Sequence, residues 1–407
     1  MLAWKRNRRV VLGVSGGIAA YKAAEIVRLL RNCGCDVEVV MTEDAERFVS
    51  PLTLAALSGR RVWRQSDYLS AEYGCAIPHI SLADWAEVVM IAPLTANTMA
   101  GIAHGTAKSL LESVVLATTA PVLLFPAMNI HMLENAATRM NTGTLRERGY
   151  TVVDPDEGYL ACGYEAKGRL PSPEIIIQEM WRVLCPNKRL ASKRVLVTSG
   201  PTWEFLDPVR FIGNPSSGKM GRAVAQTAWY RGADVTLVEG PVSLDAPYGM
   251  ERIPVVSALD MYEAVLSRSS DCDIIVKAAA VGDFRPEKRE EGKVKREGLD
   301  RLSISLVQNP DIAQELGARK REGQILVGFA AESSDLIAHA SEKIRKKGLD
   351  FIVANDITAE GAGFRSDTNR VVFIFPDGTT RDSEGSKEDV ADVLWDIVSS
   401  LQGRAEK

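Results

Sequence analysis

Val10-Val11-Leu12-Gly13-Val14-Ser15-Gly16-Gly17 is a short apolar run that ends in a serine–glycine turn, the way a buried strand hands over to a helix. The residues after it keep helical periodicity, so the stretch reads as strand, turn and a helix over 17–31. Three more apolar strands follow, DVEVVMT (36–42), EVVMIAP (87–93) and PVLLFP (121–126), with a helix around Thr95–Ala103 and another reaching Arg148. That is βαβ order. The pattern loosens from Trp181 to Lys193, and then Lys193-Arg194-Val195-Leu196-Val197-Thr198-Ser199-Gly200 restarts it with a second strand and glycine turn. DVTLVEG (234–240), ERIPVV (251–256), DIIVKAAA (273–280), ILVGFAAE (325–332) and DFIVAND (350–356) continue the second series, with helices at Met220–Arg231 and Asp335–Lys347. The sequence therefore predicts an α/β protein of two tandem Rossmann-like domains, over 1–186 and 193–407, joined by a linker at 187–192.

Strands that are apolar on both faces belong to parallel sheets covered by helices on each side. In such sheets ligands sit at the carboxyl ends of the strands, where the unusual residues of this chain cluster. A length of 407 residues also asks for more than one core, at roughly 200 residues per domain. Composition, 46% hydrophobic and 25% charged, is globular, and a net charge of -4 argues against a broad nucleic-acid footprint. Small anions remain within reach of local basic groups. The basic, then apolar start breaks at Ser15, too soon for a secretory core or a membrane span, and reads as cytoplasmic. The six cysteines lack paired CxxC spacing, which favours neither a disulfide framework nor a zinc site. Cys33-Gly34-Cys35 is either a redox pair or two buried bystanders at a helix-to-strand turn.

In the first half, Gly13 to Gly17 opens a helix whose N–H groups, with the Ser15 hydroxyl, suit a phosphate; a plain tight turn looks the same. The spacing is not GxGxxG, and the second strand ends in Met41-Thr42 rather than an acid for a ribose, so a mononucleotide such as FMN fits better than NAD. Pro93-Leu94-Thr95-Ala96-Asn97-Thr98 and Pro126-Ala127-Met128-Asn129 each put side-chain amides at a strand end, where helix caps are the simpler use. His79 precedes a short helix and is structural or catalytic. Cys162, in Leu160-Ala161-Cys162-Gly163-Tyr164, lies in a glycine-flanked loop that leans toward exposure.

Together GVSGGIAAYK, His79-Ile80, APLTANT, PAMNIHM and ACGYEAKGR resemble the phosphopantothenoylcysteine decarboxylase branch of the homo-oligomeric flavin-containing cysteine decarboxylases, whose domain is flavodoxin-like. The resemblance implies that Ser15, Gly16, Gly17, Thr42 and Asn97 hold FMN, that His79 is the essential histidine, that Asn129 binds substrate and that Cys162 is the active cysteine. An N-acyl cysteine carboxylate has no electron sink beside it, and the flavin supplies one. In the family the flavin oxidises the substrate thiol to a thioaldehyde with help from the histidine, decarboxylation leaves an enethiolate that the cysteine protonates at carbon, and the reduced flavin returns the hydride, ending as it began. Leu133 stands where the family has Trp, Ala166 where it has Gly, and TAKSLL lacks the customary acid.

In the second half, Gly200-Pro201-Thr202 lacks an N–H that a dinucleotide loop would donate, while Glu239 after the second strand is the acid an NAD site would want. SSGKMG (216–221) is not in the frame of a P-loop. Ala278-Ala279-Ala280-Val281-Gly282-Asp283 ends a strand in small residues and then an acid suited to a metal, a ribose or a helix cap. Residues 285–296, with Lys293-Val294-Lys295-Arg296, are a solvated loop or a basic flap over phosphates. Lys343 and Lys347 share a helix face and serve phosphates or solvent.

GPTWEFLDPVRFIGNPSSGKMG, AAAVGDFRP, KVKR, Asn309-Pro310-Asp311-Ile312, GFAAE and VAND resemble the CTP-using bacterial phosphopantothenate–cysteine ligases, so the whole chain is similar to the bifunctional enzymes of coenzyme A biosynthesis. By that resemblance 4'-phosphopantothenate attacks CTP, and cysteine's amine opens the resulting acyl cytidylate. Asn214 would hold that intermediate and Lys293 would stabilise charge in acyl transfer. Asp283, Lys343 and Lys347 would bind CTP, its phosphates and Mg²⁺, with Ala278, Ala279, Pro310, Asp311, Ile312, Ala313 and Phe329 lining the nucleotide. Asp283 is the candidate metal ligand, and Arg210 the candidate for the substrate phosphate. Trp203 replaces the usual Arg, Gly282 the usual Ala, and KVKR the usual KxKK. The resemblance also implies a homo-dodecamer built of decarboxylase trimers and ligase dimers, while charge and hydropathy argue against nucleic acid or membrane as partner. Two competing readings are a nicotinamide-dependent reductase, which Glu239 favours and Pro201 opposes, and a flavin-binding regulatory protein, which the pairing of His79 with Cys162 opposes.

Overall fold

The structure, a computed structural model, describes residues 2–70, 77–159, 163, 165–295, 301–332, 336–356 and 368–405. Its contacts divide the chain into two compact units, 3–184 and 185–407, the second including the first two residues. Among the described residues no helix is long and apolar enough to cross a membrane.

In the first unit β1 (Arg9–Val14), β2 (Asp36–Met41), β3 (Val62–Trp63), β4 (Val88–Leu94), β5 (Val122–Pro126) and β6 (Thr151–Val152) form one parallel sheet ordered β3-β2-β1-β4-β5-β6. Leaving aside the two-residue edge strand β3, that is the flavodoxin-like order, with its switch point between β1 and β4. The central strands do not alternate because both faces are covered: all of β4 is buried, as are Val10, Val11 and Leu12 of β1. Each such large side chain contributes about 1.5–3 kcal/mol by leaving water. The helix Ala23–Asn32 turns Ile26, Val27 and Leu30 inward along one face. It starts later than the periodicity predicts, because Ile18–Lys22 winds as a tighter 3-10 turn behind Gly17. A separate antiparallel hairpin, β7 (Asp156–Tyr159) and β8 (Glu165–Arg169), has no counterpart in the sequence reading.

In the second unit β9 (Arg194–Ser199), β12 (Asp234–Glu239), β13 (Glu251–Pro254), β14 (Ile274–Lys277), β17 (Ile325–Glu332), β18 (Phe351–Asp356), β19 (Thr368–Ile374) and β20 (Thr380–Ser386) build an eight-stranded sheet ordered β13-β12-β9-β14-β17-β18-β19-β20. Two short hairpins stand apart from it, β10 (Trp203–Phe205) with β11 (Phe211–Gly213), and β15 (Phe284–Pro286) with β16 (Leu306–Gln308). β13 to β18 run parallel, but β19 and β20 are antiparallel, so the expectation of a purely parallel sheet is corrected at this edge. The reason is local. β19 alternates, with Asn369, Val371 and Phe373 buried between exposed Thr368 and Arg370, and the Pro376-Asp377-Gly378 turn folds it back with Gly378 at φ 82. Residues 187–192, expected as a linker, pack on this unit: Leu190 is fully buried and Lys188 Nζ donates to Tyr230 O at 2.9 Å.

Candidate functional site

At the carboxyl ends of β1, β4 and β5 the first unit opens into a crevice with two lobes. Gly16, Gly17, Thr42, Thr95 and Asn97 wall the larger, of about 450 Å³. Lys22, Asn129, Tyr159 and Arg169 wall the smaller, of about 310 Å³, and Gly17, Ile18, Ala127 and Met128 belong to both.

Gly16 is dictated by space: a Cβ there would stand 2.2 Å from Asp44 Cβ and 2.8 Å from Asp44's carbonyl carbon. Ser15 is buried, and its Oγ donates to Pro93 O at 2.7 Å and accepts from Thr95 N at 2.8 Å. Its proton is thus used to tie the end of β1 to the end of β4, and Ser15 shapes the crevice from behind. Thr95 caps the helix Ala96–His104, on whose first turn Asn97 is exposed. Thr42 N donates to Val14 O at 3.1 Å, which holds the end of β2 against β1.

Asn129 uses Oδ1 to accept from His131 N at 2.8 Å, so it caps the helix Ile130–Glu134 while it lines the smaller lobe. His79 is the second residue of the helix Pro78–Trp85, edge-on to Tyr68 at 5.5 Å, and lines neither lobe. Its Nδ1 is buried with no hydrogen-bond partner among the described residues, a state that costs about 1–3 kcal/mol until something fills it. Cys162 lies outside the described residues. Lys22 and Arg169 were not singled out, although both sit in quoted motifs. Lys22 Nζ donates to Leu170 O at 3.0 Å, and burial, then repulsion by Arg169, holds its pKa below the usual lysine value. Two cations on one lobe make it a place for an anion. Cys33 and Cys35 are not bonded to each other, and burial first, then Cys33, pushes the Cys35 thiol up to about 12, which leaves it inert at neutral pH.

In the second unit a cavity of about 340 Å³ lies at the carboxyl ends of β14, β17 and β18, and the structure brings Asn214, Ala278, Ala279, Asp283, Phe329 and Lys343 together on its wall. Asn214 Nδ2 donates to Ala280 O at 3.2 Å and reaches Val281 O at 3.4 Å. The small-residue loop is pinned to the neighbouring β9 edge, since Ala279 N donates to Thr198 Oγ1 at 3.1 Å and Gly282 N to Thr202 Oγ1 at 2.9 Å. A Cβ at Gly282 would meet only ordinary contacts, so its departure from the family's Ala carries no packing consequence. Lys219, Asn369 and Lys387 also face this cavity without having been foreseen as site residues, and buried Lys387 donates to Asn369 Oδ1 at 2.9 Å. Three lysines against Asp283 suit a polyanion.

Other expected residues stand outside that wall. Asp311 caps the helix Ile312–Ala318 and pairs with Lys347 at 2.9 Å, while Ile312 and Ala313 are buried. Pro310 follows Asn309, which is bonded to Asp283 O and Gly282 O at 2.8 Å each, so this turn abuts the Asp283 edge. Lys293 is exposed, and Arg210 is paired with buried Asp207 at 3.3 Å, so neither lines the cavity. Lys277, at the end of β14, is pushed down to about 8 by burial, with Asp311, Lys347 and Asp283 acting on it as well. Among the described residues no three His, Cys, Asp or Glu side chains gather for a metal, so an ion at Asp283 would take most of its oxygen ligands from a phosphate chain. Glu239 is fully buried and locked to Arg222 at 2.7 Å and Arg252 at 2.8 Å, which withdraws it from any ribose and removes the best support for a nicotinamide site.

Two family models cover the chain: Flavoprotein over residues 3–184, and DNA/pantothenate metabolism flavoprotein C-terminal domain over residues 190–401. The chain is 46% identical over 406 residues to the coenzyme A biosynthesis bifunctional protein CoaBC of Bacillus subtilis (strain 168), covering 98% of this chain and 99% of that one. To the protein of the same name from Escherichia coli (strain K12) it is 43% identical, covering 91% and 92%. A crystal structure of the C-terminal domain of a CoaBC protein matches at 36% identity with a TM-score of 0.46, covering 54% of this chain and all of that one.

Proposed function

The chain belongs to the bifunctional coenzyme A biosynthesis proteins, and we propose that its second crevice joins cysteine to 4'-phosphopantothenate using CTP while its first decarboxylates the product with FMN. As a member it is an enzyme with two activities, phosphopantothenate–cysteine ligase and phosphopantothenoylcysteine decarboxylase. One observation carries the division of labour: each unit has a cavity at the carboxyl ends of its central strands, glycine-cradled in the first and lysine-lined in the second.

The larger lobe of the first unit is within the usual size of cofactor sites, and Gly16 lets its wall come close to Asp44, where any side chain would collide. Gly16, Gly17, Thr42 and Asn97 would hold FMN, with Ser15 fixing the wall behind them. When bound, the flavin supplies the electron sink that an N-acyl cysteine carboxylate lacks. In the adjoining lobe Asn129 would orient the substrate while Lys22 and Arg169 offset its negative charge; the resemblance adds Cys162, outside the described residues, as the proton donor to carbon, and His79, which lines neither lobe, as the group that assists the thiol.

In the ligase a free carboxylate is a poor acyl donor, so it displaces pyrophosphate from CTP, and cysteine's amine then displaces CMP. Ala278, Ala279 and Phe329 pack the nucleotide. Asp283 and Lys343 meet its phosphates and Mg²⁺, and Lys347 with Pro310, Asp311, Ile312 and Ala313 forms the adjoining edge. Asn214 holds the acyl cytidylate, and Lys293 stabilises charge during amide formation. The same reading places the enzyme in the cytoplasm as a dodecamer.

The test follows pyrophosphate and carbon dioxide separately. Cys162→Ser should still release pyrophosphate and stall before the reduced product; Lys293→Gln should release pyrophosphate but form amide about 100-fold more slowly. Loss of both activities in either variant contradicts the division.

Lys277 adds a pH signature. Its folded pKa lies below the ordinary 10.5, at about 8, so its charge penalises the fold below that value and the penalty fades as pH rises toward the ordinary one. A triphosphate nearby favours the charged form, so CTP binding should take up a proton and weaken above pH 8 by up to about tenfold per unit. Calorimetry should find this slope in the parent chain and a flat profile in Lys277→Met; a flat profile in both removes Lys277 from the site.

A further inference from the structure

We propose that Asp207 is a positioning residue for amide formation: its carboxylate clasps the backbone of Val294 to the turn between β10 and β11 and so sets where Lys293 stands. The inference rests on the ligase reading above.

Asp207 is fully buried although the residues after it are exposed. Its two oxygens have separate duties. Oδ1 accepts from Val209 N and Arg210 N, both at 2.8 Å, which closes the turn on itself. Oδ2 is not needed for that turn; it accepts from Val294 N at 3.2 Å, across 87 residues of sequence. Arg210 bridges the same place, with Nη1 donating to Asp207 Oδ2 and to Val294 O, each at 3.3 Å. Val294 therefore has both backbone groups held by one Asp–Arg pair.

The segment before it lies along the same turn. Glu290 N donates to Leu206 O at 2.9 Å, and the Arg289 guanidinium sits over the Phe205 ring at 5.1 Å. Lys293 and Lys295 flank the clasped residue and are exposed. A buried carboxylate is stable only when paired and hydrogen-bonded, and here Val209 N–H first, then the other N–H groups and Arg210, hold its pKa below the usual carboxylate value. A basic group that stabilises developing charge must stand in one place, since a misplacement of about 1 Å costs on the order of 100-fold. Arg210, expected at the substrate phosphate, is part of this clasp.

Asp207→Asn tests it in the flavin-loaded full chain. Asparagine keeps an oxygen for Val209 and Arg210, so the turn persists, but its Nδ2 cannot accept from Val294 N–H. Amide hydrogen exchange in the peptide containing Val294 should speed by about tenfold or more. Pyrophosphate release should stay within about threefold while amide formation falls about 10- to 100-fold. Lys293→Gln should reproduce the kinetic split with parental exchange. Arg210→Met should speed the same exchange, which guards against a fold defect peculiar to position 207. Unchanged exchange in Asp207→Asn, or an equal loss of both half-steps, overturns the proposal. A parent chain that consumes no CTP would instead refute the ligase reading, and the exchange data would still decide whether the clasp exists.

Discussion

Gly16→Val is expected to leave the purified chain colourless while its ligase activity stays within about twofold. Even the first carbon of the new side chain would overlap Asp44, at 2.2 Å from its Cβ and 2.8 Å from its carbonyl carbon, so the wall of the larger lobe that these two residues share must shift. Overpacking of this kind costs about 1–3 kcal/mol or more, roughly 5- to 150-fold if it falls wholly on flavin affinity. Flavin absorbance per chain after reconstitution measures it. The ligase residues belong to a separate compact unit, which is why pyrophosphate release should survive. Parental flavin content in this variant would mean that the flavin sits elsewhere.

The second large effect is expected at Asn214. Its Nδ2 is a donor to two successive carbonyls, Ala280 O and Val281 O, at the lip of the polyanion cavity. Asn214→Asp removes that donor, sets a carboxylate against both carbonyls and adds a negative charge where phosphates must come. Like charges about 4 Å apart repel by about 4 kcal/mol at an effective dielectric of 20. Ligase kcat/KM should fall at least about 100-fold, equivalent to about 2.7 kcal/mol, with flavin content and decarboxylation of added phosphopantothenoylcysteine unchanged. A loss under about fivefold would take Asn214 out of the intermediate's contacts.

Legibility in the sequence followed the kind of constraint each residue answers. Gly16 and Ala278-Ala279 could be read because a close backbone approach leaves a small residue at a strand end, and both stand on cavity walls. The parallel strands were readable because burial on two faces removes alternation, as in β4. Lys387 and Asn369 could not be read, since the edge strand and the helix Lys387–Ala405 bring them to a cavity whose other walls are far away in sequence. Glu239 shows the opposite error: an acid for a ribose and an acid for two arginines look alike until Arg222 and Arg252 are seen on it. At Arg210 the motif conveys residue type but not the direction in which the guanidinium points, which is onto Asp207 and Val294 O.

The proposed activities need two unlike sites used in series. Supplied with FMN, CTP, Mg²⁺, 4'-phosphopantothenate and cysteine, the parent chain should release pyrophosphate first and then an equal amount of carbon dioxide, with omission of cysteine abolishing the carbon dioxide. Carbon dioxide without prior pyrophosphate, or pyrophosphate never followed by carbon dioxide from the flavin-loaded chain, would contradict them.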